Sequence, residues 1–183
     1  MVPAGYMAKR VATRPDWLSA ERVSSIYSVS GCVSNDFTDY IDFWKHNGYW
    51  LFDSPEVILE IAREHGIDLA ETVLFFYEVH ELQFDSGEWM RFEPEPSFGT
   101  SVNIPAAKVL EGYDVVSFFA QTMPECSPLS CNSLASEVET NSRCLLQSFE
   151  QARTLLEDGT FNGSEPGPYR VFAVYSVKWP ATP

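Results

Sequence analysis

Apolar positions fall in two rhythms along this chain, one of about 3.6 residues and one of two. Phe37, Tyr40, Ile41 and Trp44 recur at i, i+3, i+4 and i+7, which predicts a helix that Ser34 or Asn35 caps and Asn47-Gly48 closes. Ser54-Pro55 opens a second helix with Val57, Ile58 and Ile61 inward and Gly66 as its stop. Ser148, followed three residues on by Gln151, caps a third; it buries Phe149, Ala152, Leu155 and Leu156 and ends at Gly159. The two-residue rhythm appears in Thr72–Phe84, which returns through Asp85-Ser86-Gly87 into Glu88–Phe92, and again in Tyr169–Val177. Val115–Phe119 is apolar almost without a break, the signature of a strand covered on both faces in the middle of a sheet. Ser25–Ser30, Tyr49–Phe52 and Ser142–Gln147 read as short strands, and Asp16–Val23 as a short helical turn. Residues 1–15 read as a loose, mildly basic arm, and Glu93–Thr100 as linker.

The order of these elements repeats. Leu51, Phe52, Ser54 and Glu56 align without a gap on Leu145, Leu146, Ser148 and Glu150. In each half a strand reaches a cysteine loop, a Ser-capped helix follows, and a β-rich run closes the unit. The expected fold is therefore α+β: a mixed or largely antiparallel sheet with packed helices, in two related halves. The 183 residues fit one domain, with pseudo-repeats at 24–92 and 113–178 joined by 93–112. Packing of the halves about a pseudo-two-fold axis would bring the Cys32 loop and the Cys126/Cys131 loop together at one end of the sheet.

Charge narrows the function classes. A net charge of −14 excludes a phosphate-backbone binder, so no nucleic acid is expected. The acid is concentrated: residues 53–95 hold twelve carboxylates against Arg63 and Arg91 alone. Such a field steers basic partners. Glu60, Glu64, Asp68, Glu78 and Glu81 are its candidate partner-binding residues. No run has the length of a membrane span or of a signal-peptide core, so no membrane association and a reducing cytoplasm are expected.

The remaining chemistry sits in the cysteine loops. Cys126 and Cys131, with Cys144 and with Cys32 or one of His46, His65 and His80, could supply four ligands to zinc, but the pair stands five positions apart, wider than the usual structural zinc pair, so no metal and no cofactor are expected. Glu125 beside Cys126, and the lack of Lys or Arg between Lys108 and Arg143, argue against an activated thiol. No phosphate loop, zinc-protease pattern or nucleophile elbow occurs, so no catalytic residues are assigned and binding is expected over catalysis. The alternative is a small enzyme or ligand-binding protein with a site between the loops, built from Cys32, Cys126, Ser127, Ser130, Cys131 and Asn132.

The segment SIYSVSGCVSNDFTDYI, a strand, a small-residue turn and an acidic helix, followed by SPEVILEIAREHGID, resembles the immunity proteins that neutralise bacterial polymorphic toxins. The resemblance covers the first third of the chain. It implies an acidic cytoplasmic module that binds a basic protein partner, a toxin domain, and blocks its active site or a neighbouring surface.

Overall fold

The structure, a computed structural model, describes residues 1–40, 46–96, 98–119 and 124–180. Its main sheet is antiparallel and seven-stranded: β1 (Val2–Arg10), β4 (Asn35–Asp36), β5 (Val73–Val79), β6 (Leu82–Asp85), β7 (Glu88–Arg91), β8 (Val109–Ser117) and β9 (Tyr169–Val177). The strand order is β4-β1-β5-β9-β6-β7, and β8 pairs with β9 along its full length. A two-stranded ribbon, β2 (Ala12–Thr13) with β3 (Ser25–Ile26), stands apart from it. The helices are α1 (Pro55–His65), the single turn α2 (Pro128–Cys131) and α3 (Phe149–Glu157). This is an α+β fold. No helix among the described residues is long and apolar enough to cross a membrane.

The helix signals of the second and third helices hold to within a residue. Gly66 ends α1 in the left-handed conformation at φ 66°, and the Ser148 hydroxyl accepts the Gln151 N–H at 3.1 Å while Gln151 Oε1 accepts the Gln147 N–H in return. Ile58 and Ala62 are the buried face of α1, whereas Val57 is 38% exposed, one position off the predicted stripe.

Elsewhere the structure corrects the sequence. Residues 2–10 are not a loose arm. They form β1, with Ala4, Tyr6, Met7, Ala8 and Lys9 all buried. The helix expected from Asp36 is, as far as it is described, β4 and one turn of 3₁₀ helix at Phe37–Tyr40; Ile41 and Trp44 lie outside the described residues. The centre of the sheet is β5 and β9, not the Val115–Phe119 run. That run enters the sheet as the end of β8, beside β9. Val115 and Val116 are fully buried, but Phe119 is 59% exposed. Of the short strands predicted at Tyr49–Phe52 and Ser142–Gln147, only single bridges form, Tyr6 with Phe52 and Tyr113 with Leu146.

Those two bridges belong to a repeated knot. Asn47 Oδ1 accepts the N–H groups of Tyr49 (2.9 Å) and Leu51 (3.2 Å), and its Nδ2 donates to Ala4 O (2.8 Å). Asn141 Oδ1 accepts those of Arg143 (2.8 Å) and Leu145 (3.2 Å), and its Nδ2 donates to Glu111 O (2.7 Å). Each knot closes over a glycine that leaves no room for a side chain. A Cβ on Gly5 (φ +135°) would meet Phe52 O at 2.7 Å, and one on Gly112 (φ +147°) would meet Leu146 O at 2.7 Å. β1 therefore corresponds to β8, and the geometric repeat begins at β1, ahead of residue 24, with β8 starting at 109.

The register also locates the axis between the halves. Gly5 pairs with Tyr77 and Gly112 with Val174, so Tyr77 and Val174 are counterparts. They are also directly opposite each other in the β5–β9 ladder. A pair of counterparts that face each other marks a pseudo-two-fold axis. A slip of one residue would exchange the faces of a strand, so this register also fixes which side chains of β5 and β9 correspond.

Candidate functional site

The axis organises the cysteine loops as well. The Ser30 N–H donates to Ser127 Oγ (3.3 Å) and the Ser127 N–H donates to Ser30 Oγ (3.1 Å). Such a reciprocal exchange is what two-fold-related loops make where they touch. Both serines are buried. Beneath them Asp114, on β8 and 1% exposed, accepts from Ser127 Oγ (2.6 Å) and from the Val29 N–H (2.8 Å) through one oxygen. Lys9, on β1 and also 1% exposed, donates to Val29 O (2.7 Å) and Ser30 O (2.9 Å) and pairs with Asp36 at 2.7 Å. A buried cation and a buried carboxylate thus grip the first loop from the two halves. Neither alternative for a charge in such a place, exposure or loss of its partners, is inexpensive.

On this platform the sulfurs of Cys32, Cys126 and Cys131 lie within 4.8 Å of one another. Gly31-Cys32 brings the first from the loop after β3; Cys126 is placed by its bridge to Ser117 at the end of β8, and Cys131 ends α2. Cys32 is exposed, Cys126 is buried, and Cys131 is between the two. Cys144, also buried, is not part of the group. All four are unbridged thiols. Around the sulfurs, Cys32 Sγ–H donates to Glu125 O (2.8 Å), Cys126 Sγ–H donates to Asn132 Oδ1 (3.1 Å), and Ser30 Oγ and Ser130 Oγ lie 3.7 and 3.9 Å from Cys131 Sγ.

The three thiols titrate together. The first proton is held weakly at Cys32, because contact with the Cys126 sulfur, and then with that of Cys131, favours its thiolate and outweighs burial. Contact with Cys131 and Cys32, then burial, drives Cys126 up. Cys131 is pushed up to about 11, its contact with Cys126 outweighed by that with Cys32 and by burial. Burial also raises Asp114 from 3.8 to about 6, against the bonds from Ser127 and Val29 and the charge of Lys9. Three buried oxygens, Ser34 Oγ, Tyr77 Oη and Asp114 Oδ1, have no hydrogen-bond partner among the described residues.

Cys32 also forms part of the wall of a cavity of about 430 Å³, lined as well by Met7, Trp50 and Leu51 and by Pro124 and Glu125 from the second loop. The site expected between the loops is thus a place where all six of its residues meet: Cys32, Cys126 and Cys131 by their sulfurs, Ser127 below them, Ser130 and Asn132 against them. Sequence reasoning missed Ser30, Asp114 and Lys9. Ser30 stands two residues before Cys32 as Ser127 stands one after Cys126, which is one signal; a lone acid inside an apolar strand is another.

Of the acidic candidates, Glu60 and Glu64 stand one turn apart on α1 and Glu78 lies in β5. Glu60, Glu64, Asp68 and Glu81 are exposed, Glu60 lying 4.0 Å from Arg63. Glu78 is half-buried in β5, where it pairs with Lys108 and accepts from Tyr175 Oη at 2.8 Å. Burial alone would raise its pKa, but the bonds from Lys108 and Tyr175 outweigh burial and leave it below the usual carboxylate value. Comparison with family models, with curated proteins and with solved structures returned no match to this chain.

Proposed function

We propose that the protein is a binding protein whose working centre is the cysteine group and the cavity that Cys32 helps to line, between its two loops, and that its ligand is recognised by sulfur. The observation that carries this reading is the convergence of three thiols, contributed by both halves, beside a cavity of about 430 Å³. Three sulfurs at one point exceed what packing needs. A buried cysteine otherwise behaves as a small hydrophobe and has no reason to seek two others. A reducing compartment, the cytoplasm, keeps the group as thiols. The test is a thermal-shift panel of small thiols, organic acids and soft metal ions, repeated after Cys32 has been carbamidomethylated. At least one member should stabilise the native chain and lose its effect on the blocked one. A panel without any Cys32-dependent member overturns the reading.

A second reading is favoured by the solvent-facing carboxylates of Glu60, Glu64, Asp68 and Glu81: an acidic module that binds a basic protein, as the resemblance to toxin immunity proteins implies. Exposed charges of this kind act on the encounter rate more than on the bound state. Reversal of Glu60, Glu64 and Asp68 should then slow capture by a basic partner at low salt and leave stability within about 0.5 kcal/mol of wild type. An unchanged association rate counts against this module.

A further inference from the structure

We propose that Cys32, Cys126 and Cys131 are the ligands of a thiophilic d¹⁰ metal ion, zinc(II) or copper(I), with the open coordination position directed to the cavity. The inference rests on the reading of that cavity as the working centre and names its ligand class. The number of sulfurs argues for it first. A disulfide uses two and leaves the third without a role, and no disulfide is present for a third thiol to attack. A metal ion uses all three. Zinc–sulfur bonds of about 2.3 Å place the sulfurs of a tetrahedral or trigonal set roughly 3.8–4.0 Å apart. Sulfurs already within 4.8 Å of one another need to close by less than about 1 Å.

The surroundings meet the second requirement, that outer contacts orient the ligands. Ser30 Oγ and Ser130 Oγ face Cys131, and Asn132 faces Cys126; rotation of its amide turns an N–H toward a thiolate. Ser30 is fixed by Ser127, and Ser127 by Asp114. Tyr77 stands close enough to Asp114 to feel its charge, so the support beneath the sulfurs is a continuous buried polar layer. Soft thiolates in a set of three suit copper(I) directly, and zinc with one further ligand from the cavity side. The spacing of Cys126 and Cys131 is wide for a zinc pair acting alone, but Cys32, brought in from the other loop, completes a set of three.

The test uses the full chain, freed of metal and kept reduced by a phosphine, titrated with zinc(II) alone and with copper(I) alone against a chromophoric chelator. One ion per chain should bind in at least one arm, and the arm that succeeds identifies the metal. C32S, C126S and C131S should each weaken binding at least about 100-fold, and S127A, which acts through orientation, about 10–100-fold. C144S should bind like wild type. The proposal is overturned when wild type competes no better than the triple C32S/C126S/C131S variant, or when C144S loses as much affinity as C32S. Cys32 is exposed, so C32S keeps the test decisive even where C126S fails to fold. Cys32-dependent binding of a small thiol or acid in the panel above, with no metal bound in either arm, removes the metal and leaves the binding centre standing.

Discussion

In the first half Asn47 ties β1 to the Leu51–Phe52 segment, and in the second Asn141 ties β8 to Leu145–Leu146 through the same set of backbone partners. Even the strained residue of each knot falls at the same position, Trp50 at φ 60° and Cys144 at φ 64°. The side chains on this common backbone diverge wherever they approach the cysteine site. Lys9 of β1 stands where β8 has Val116, and Asp114 of β8 stands where β1 has Met7. Trp50 lines the cavity, whereas Cys144 is packed in the core of the second half. The repeated parts are those that hold backbone together; the unrepeated parts are charged, aromatic or sulfur-bearing and converge on one place. The duplicated scaffold thus carries an asymmetric centre where its two halves meet.

The hardest way to break the comparison is at the glycines. Gly5→Ala and Gly112→Ala each demand a conformation that a side chain resists and push a Cβ to 2.7 Å from a carbonyl oxygen. Each should cost about 3–5 kcal/mol, as strain and overpacking add. Equal losses in chemical denaturation are expected. Should one variant unfold near the wild-type midpoint, that half does not depend on its knot and the two are not equivalent.

The asparagines sharpen the same comparison. Asn47 is 1% exposed, while Asn141 is only partly buried. Removal of the Asn141 side chain deletes three bonds and removal of the Asn47 side chain four, the fourth to Asp53 Oδ1 at 3.2 Å, at roughly 1 kcal/mol each, with an added desolvation cost for backbone groups left without a partner. Asn47→Ala should therefore lose about 2–4 kcal/mol and Asn141→Ala about 1–3 kcal/mol. A larger loss at Asn141 would contradict burial as the source of the difference.

Much of this was legible in the chain, for identifiable reasons. α1, α3, the β6–β7 hairpin and β9 carry local signals, caps, a turn and a period, that tertiary context has no cause to override. The gap-free match of Leu51–Glu56 to Leu145–Glu150, extended four residues toward the N-terminus, also aligns Asn47 with Asn141; the knot was readable there. β1 was not. Pro3 and Gly5 look like loop residues and Lys9 looks like a solvent charge, yet Gly5 is required by the close approach of Phe52 and Lys9 is satisfied by two carbonyls and Asp36. The Phe37 segment failed in the opposite direction: its spacing is helical, but Asn35 and Asp36 pair with Arg10 and Lys9 as β4. Pairing with β1 outweighed a helical period. The cysteine site was legible as three thiols on two loops, and their meeting followed only from the axis.

Asp114 offers the finest probe of the asymmetry, because its counterpart Met7 cannot titrate. Its folded pKa is raised from 3.8 to about 6, burial being the main cause and the bonds from Ser127 and Val29 the opposing one. The native state therefore keeps this proton at a pH where the unfolded chain has released it. Asp114 is accordingly least costly below pH 4, grows costly as pH rises from about 4 to about 6, and adds a constant penalty above. Lys9 limits the penalty, and Tyr77 faces the same carboxyl without relieving it. Asp114→Asn keeps an oxygen for Val29 and Ser127 and cannot ionise. In metal-free protein the stability difference between D114N and wild type should be near zero at pH 4 and should favour D114N by about 1–3 kcal/mol at pH 7, because each pH unit between the unfolded and folded pKa is worth about 1.4 kcal/mol. The difference cancels the titration of every carboxylate common to both chains, including Glu78, whose lowered value gives the opposite slope. A difference that stays flat from pH 4 to pH 7 would show that Asp114 ionises as easily in the fold as outside it, and that its buried position imposes no cost on the half that carries it.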